Sequence, residues 1–284
     1  MKPHLLIPTI SALATFAGVA VASPERVVPL NELSHIHGIA FDPADPAALL
    51  IATHAGLFRA TREGDAVQVS DDSHDYMGFA VLENGTLVSS GHPAGGGNLG
   101  VRASSDGGKS WITLSPGADG PVDFHAIAAA PSDTDAIVGL YGGGVQISTN
   151  GGWMWQWSGQ VPDQTLDLAM VGAESESQAI LAAGMSGLSI SVDNGETWEL
   201  VSPGVATMVE RDWSGGAYAF IVGEGLLHSP IATSWEALWN PGEGAALLHL
   251  AVSKVRAGEL AAITYAGEVI FSSDGGRSWE RFSK

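Results

Sequence analysis

The chain of 284 residues contains no cysteine, which removes disulfides, thiolate metal sites and a cysteine nucleophile from consideration. Basic residues are scarce too: 12 lysines and arginines stand against 31 aspartates and glutamates, a formal charge of −19. Such a surface repels phosphate backbones and anionic lipid, so nucleic acid and other polyanions are excluded as partners. Past the first two dozen residues, no stretch is both long and apolar enough to span a bilayer. Before that, Met1 to Ala22 combines Lys2, a mostly apolar run from Leu5 to Val19 and the small residues Ala20-Val21-Ala22, the pattern of a removable export signal. The expectation is a signal at 1–22 and a single exported domain over 23–284, periplasmic or secreted, with no membrane span once the signal is gone.

What the chain has in quantity is one short motif. Ser104-Ser105-Asp106-Gly107-Gly108-Lys109-Ser110-Trp111 recurs as Ser191-Val192-Asp193-Asn194-Gly195-Glu196-Thr197-Trp198 and as Ser272-Ser273-Asp274-Gly275-Gly276-Arg277-Ser278-Trp279. Two worn copies lie between: Ser148 to Trp155 lacks the hydroxyl before its Trp, and Ser229 to Trp235 is one residue short. The starts advance by 44, 43, 38 and 43 residues, and a period in that range with strand-like flanks marks a β-propeller. The chemistry explains the repetition. An Asx carboxylate accepts N–H groups of its own turn, glycine supplies positive φ, and the Trp wedges between neighbouring sheets.

Aligning backward from each motif predicts six four-stranded blades, at about 35–70, 75–115, 123–159, 165–202, 206–240 and 247–284, with a seventh left open because worn repeats are easily miscounted. Residues 24–33 can add an edge strand that helps close the ring. The motif resembles the Asp box, or BNR repeat, of sialidases, Vps10/sortilin ectodomains and photosystem II assembly propellers. That resemblance implies an all-β propeller and says little about function, because in that superfamily the boxes lie away from the ligand face.

Four strands meandering from hub to rim put the start of each first strand and the end of each second strand on one face, opposite the boxes. Sorting by this rule places His35, His37, Asp75, Met77, Asp123 and His125 at entrances, and His54, His92, Tyr141 and Met185 at exits. Five of the eight histidines that survive signal removal fall on this face. The reading is a metal site on His37, His54, His92 and His125, with His35, Asp75, Met77, Asp123, Tyr141 and Met185 as further ligands or orienting neighbours. Imidazole suits zinc or copper, and a nearby thioether favours copper. Alternatively, the histidines satisfy backbone groups at a wet channel mouth or bind a small organic anion.

Other chemistries have less to stand on. The sialidase resemblance implies three arginines around a carboxylate, one in an Arg-Ile-Pro stretch, and the chain has no such stretch. A different glycoside hydrolase needs two carboxylates across a cleft, for which Asp75 and Asp123 are the available pair. Trp153-Met154-Trp155-Gln156-Trp157 invites sugar stacking, but its place in a box predicts blade packing. The segments Ser34 to Pro43, Ala52 to Phe58, Asp75 to Phe79, Ser90 to Pro93 and Asp123 to Ala126 resemble exported bacterial BNR-repeat proteins labelled glycosyl hydrolase-like. That likeness implies a site in this His and Asp set and supplies no reaction. A scaffold that docks another exported protein remains a third possibility.

Overall fold

The computed structural model describes residues 26–133, 135–172 and 178–283; the export signal expected at 1–22 lies outside them. Among the described residues there is no α-helix, and none of their helices is long and apolar enough to cross a membrane. The strands form six antiparallel sheets, each a meander in chain order. Blade 1 runs from its first strand, Ile36–Asp42, to Asp65–Gln68, and blade 2 from Asp75–Val81 to Ile112–Ser115. Blades 3 to 6 open with Ala126–Ala129, Thr165–Val171, Ala206–Arg211 and Leu247–Val252. The first strands carry small or aliphatic residues because six of them converge at the hub.

Four boxes behave as their chemistry requires. Asp106 accepts the Ser104 hydroxyl at 2.8 Å, the Ser110 N–H at 3.0 Å and the Ser110 hydroxyl at 2.6 Å, while Trp111 donates its indole N–H to Gly108. Asp193 and Asp274 repeat this hydroxyl and N–H pattern. Asn150 keeps the Ser148 and Met154 contacts but has no hydroxyl to hold at Met154. The second glycine of a box presses on the preceding blade: a Cβ on Gly108, whose φ is +88°, would stand 2.3 Å from Leu57, and one on Gly276 2.7 Å from Leu226. In blade 5 the shortened copy has neither Asp nor Gly, and Ala232 takes the left-handed conformation at φ 60°.

The Trp cluster departs from expectation. Trp155 is buried and donates to Gly152, but Trp153 and Trp157 are 57% and 41% exposed, because only the residue at the box's Trp position faces the neighbouring blade. Boxes share their face with the turns between first and second strands, as the bonds Gly151 N–H to Asp135 O and Gly275 N–H to Gly258 O establish.

Among the described residues, the first and last strands do not share a sheet. Val27–Pro29 pairs with Asp65–Gln68 on the outer edge of blade 1, so the expected edge strand exists but thickens one blade rather than bridging two. Closure falls to packing: Leu30, Leu33, Ile39 and Phe58 form one cluster with Ile263, Phe271 and Phe282 of blade 6. Arg62 of blade 1 lies 4.0 Å over the Phe271 ring and reaches Glu280 at 2.8 Å.

The box carboxylates tie this fold to pH. Serine or threonine hydroxyl bonds, then turn N–H bonds, hold Asp106, Asp193 and Asp274 down to about 2 from an ordinary 3.8. A carboxylate depressed on folding stabilises above its unfolded value and loses that contribution as pH falls through its folded one. The melting temperature is therefore expected to fall across the window from about pH 4 to about pH 2. Asp193→Asn should flatten that fall and Lys109→Gln should not, by thermal melts at stepped pH.

Candidate functional site

The histidine face is shaped by a recurring irregularity. Five of the six first strands shift register at their start, between Ile36 and Gly38 in blade 1, Tyr76 and Phe79 in blade 2, and at matching places in blades 4, 5 and 6. An inserted residue re-aims its side chain and breaks the ladder locally. His37 is the inserted residue of blade 1, with Ile36 paired to Thr53 and Gly38 to Ala52. His54 follows the second strand directly, its N–H bonded to the carbonyl of His35, which sits at φ 51°.

In blade 2, Asp75 and His92 are direct cross-strand partners. Gly91 makes this possible: its φ is +149°, and a Cβ there would stand 1.9 Å from the Asp75 carbonyl oxygen. Ser90 then fixes the neighbouring segment, its hydroxyl accepting the Phe124 N–H at 2.9 Å and donating to Val122 O at 3.3 Å.

Asp75, 4% exposed, is the centre of the group. Its Oδ2 meets His54 Nδ1 in a short contact and lies 3.3 Å from His92 Nε2, while its Oδ1 lies 3.4 Å from His37 Nε2. One ligand atom from each of His37, His54 and Asp75 falls within 4.8 Å of the others, a grouping able to hold a metal ion. The His35 and His92 rings flank His54 at centroid distances of 5.9 and 6.1 Å. Burial lowers the His37 pKa, Asp75 raises it, and the neighbouring imidazoles of His54, His35 and His125 lower it further. The ring is thus held toward its neutral, ligand-competent form.

His37, His54, His92 and Asp75 converge, and His125, largely exposed, stands at their margin with its Nε2 3.9 Å from Asp123. Burial raises the Asp123 carboxyl, whose Oδ1 is buried without a hydrogen-bond partner. Met77 is half-buried at the blade 2 irregularity and Met185 is exposed. Tyr141 packs on Phe124 and accepts from Asn98 at 3.4 Å. His249 stands one residue past Leu248, the blade 6 match of His37: it is half-buried at the hub, bonded to Ile36 O at 3.1 Å, and burial drives its pKa down to about 4. His228 is elsewhere, held by Asp212 at 2.8 Å. Arg59 and Arg102 are bound to Asp42 with Asp45 and to Asp72.

No protein-family model matches the sequence, and no curated protein matches it. Solved structures match in fold. The chain is 18% identical to Ycf48 bound to D1 peptide, with a TM-score of 0.55, over 91% of this chain and 84% of that one. It is 17% identical to Ycf48 from Cyanidioschyzon merolae, with a TM-score of 0.51, over 91% and 88% of the two chains. The GH74 enzyme of Niastella koreensis is 19% identical, with a TM-score of 0.53, over 86% of this chain and 36% of the enzyme. The chain is therefore a six-bladed propeller similar to Ycf48, and it spans little more than a third of the GH74 enzyme. At these identities the likeness is one of fold.

Gly91→Ala tests how the site is built. The added methyl has no room against Asp75, so the variant should lose more than about 1 kcal/mol in denaturant melts. Gly95→Ala, in an open loop, should cost nothing comparable.

Proposed function

We propose that the protein is an exported propeller that binds a transition-metal ion, zinc or copper, on the face opposite its boxes. The ligands are His37 Nε2, His54 and Asp75 Oδ1, with His92 completing the shell. One observation carries this reading. His37 Nε2 and Asp75 Oδ1 are both buried, neither has a hydrogen-bond partner, and they stand 3.4 Å apart. Burying two such atoms unsatisfied is costly. Two ligand atoms each about 2.1 Å from a tetrahedral ion lie about 3.4 Å apart, so one cation satisfies both. Three imidazoles and a carboxylate suit Zn(II) or Cu(II) and fill a tetrahedral shell. Export is part of the proposal, resting on the Met1 to Ala22 pattern.

A second reading, a glycoside hydrolase acting through Asp75 and Asp123, draws support from Asp123, a half-buried carboxyl raised toward the acid form. Against it, Asp75 is committed to histidines, whereas a hydrolytic partner carboxylate needs to face substrate. A peptide-docking role has the Ycf48 likeness in its favour but no contact on this face that calls for a peptide.

Calorimetric titration of untagged mature protein with Zn(II), Cu(II) and Cu(I) decides between them. Binding tighter than micromolar is expected for at least one ion, with His37→Ala, His54→Ala and Asp75→Asn each weakening it by more than about tenfold and His228→Ala leaving it unchanged. Only millimolar binding, or equal losses from His228→Ala, would remove the metal reading. Turnover of chromogenic glycosides abolished by Asp123→Asn would replace it with the hydrolase.

A further inference from the structure

The other end of the hub holds a chamber that the metal site does not use. It measures about 320 Å³ and opens among the turns on the box face, near Pro43, Glu83 and Lys254. One layer of the first strands is Ala40, Ala80, Ala128, Ala169 and Ala251 in five blades, and Glu210 in blade 5. The alanines leave the space open, and Phe41, Phe79, Val81 and Met170 give it apolar walls.

Arg211, next to Glu210, lines the same chamber and is 6% exposed. Its guanidinium crosses the hub from blade 5 to blades 2 and 3. Nη1 donates to Ala129 O and, at 2.7 Å, to Ala130 O, and Nη2 donates to Val81 O at 2.7 Å. The Trp213 ring stacks on the guanidinium at 4.0 Å and anchors its own N–H on Val252 O at 2.9 Å. Three of the five N–H groups are thereby used. Nε–H and one Nη2–H are left without an acceptor among the described residues, and the Nε and Nη2 edge of a guanidinium is a fork that takes a carboxylate through two parallel bonds.

We propose that this chamber binds a compact apolar monocarboxylate, its carboxylate on the Nε–H and Nη2–H fork of Arg211 and its hydrocarbon against the alanine layer. Two observations support the choice of head group. Burial pushes Glu210 up to about 8, which weakens it as an anionic competitor for Arg211, and Glu83, the other carboxyl that acts on Arg211, is paired with Lys254 at 2.6 Å. The volume lies at the small end of ligand pockets, which suits a short chain rather than a polymer.

The experiment titrates the untagged full chain with the n-alkanoates from butanoate to decanoate and with n-alkylamines of the same lengths, by calorimetry and by Trp emission. Alkanoate affinity is expected to rise with length until the chamber is full and then drop, with the amines weaker by more than about tenfold. Saturation should shift the emission of the parent but not of Trp213→Phe. Ala80→Leu, which fills the chamber from blade 2, should lose more than about tenfold in affinity, and His54→Ala should lose nothing. The proposal is overturned if no alkanoate binds more tightly than millimolar, if the amines bind equally well, if binding leaves Trp213 emission unchanged, or if folded Ala80→Leu binds like the parent. Should Ala80→Leu fail to fold, the parent's length, charge and emission series decide on their own.

Discussion

Everything in this molecule depends on closing a ring of six sheets with no disulfide and, among the described residues, no strand shared between the first and last blades. The packing of blade 1 on blade 6 is joined at the hub by side chains of one blade that satisfy the backbone of another. Asp167 of blade 4 accepts the Val209 N–H, Thr207 of blade 5 donates to Leu247 O, and His249 of blade 6 meets Ile36 O of blade 1. Arg211 and Lys254 extend the bracing across to blades 2 and 3. Each bond removes a buried backbone group from the unsatisfied list. Burial raises the pKa of Asp167 to about 7 and lowers that of His249 to about 4. Enclosed groups of this kind shed charge while keeping their hydrogen bonds.

The same economy of space produces the site. Strands that converge too closely for large side chains must widen at their mouths, and the register shifts at the start of five first strands do this. The residue each shift releases is His37 in blade 1 but Leu166, Thr207 and Leu248 in blades 4, 5 and 6. A common backbone device therefore brings an imidazole to this face only where the sequence supplies one. Blade 2 contributes by a different route, the tight Gly91 approach that presses Asp75 against His92.

Much of this was legible in the residues. The box period announced six blades because its hydrogen bonds are local, so spacing alone carries the signal. Phase along the repeats put His37, His54 and His92 on one face, as alternation and chain reversal dictate. The focus on Asp75 was not legible, since it depends on which carboxylate oxygen each ring reaches across blades. Arg211 carried no motif at all; its bonds to Val81 and Ala130 join residues far apart in sequence.

The two mouths of the hub divide the work by blade. Blades 1 to 3 keep glycine or alanine in the hub layer beneath their entrances, Gly38, Gly78 and Ala126, and so have room to spend on polar groups above it. Blades 4 to 6 place Asp167, Arg211 and His249 in or near the hub, and these groups brace the ring that the first three blades thin out. Replacing a brace with an apolar residue would free a carbonyl or N–H in a place water reaches poorly, whereas replacing a mouth histidine leaves solvent to take over its hydrogen bonds. The histidine face can therefore change its ligands at little cost to the fold, while the opposite end cannot lose Arg211 without leaving the carbonyls of Val81, Ala129 and Ala130 unanswered. A carboxylate seated on the free edge of that guanidinium would add to the brace rather than compete with it, because it uses the two N–H groups the ring does not need.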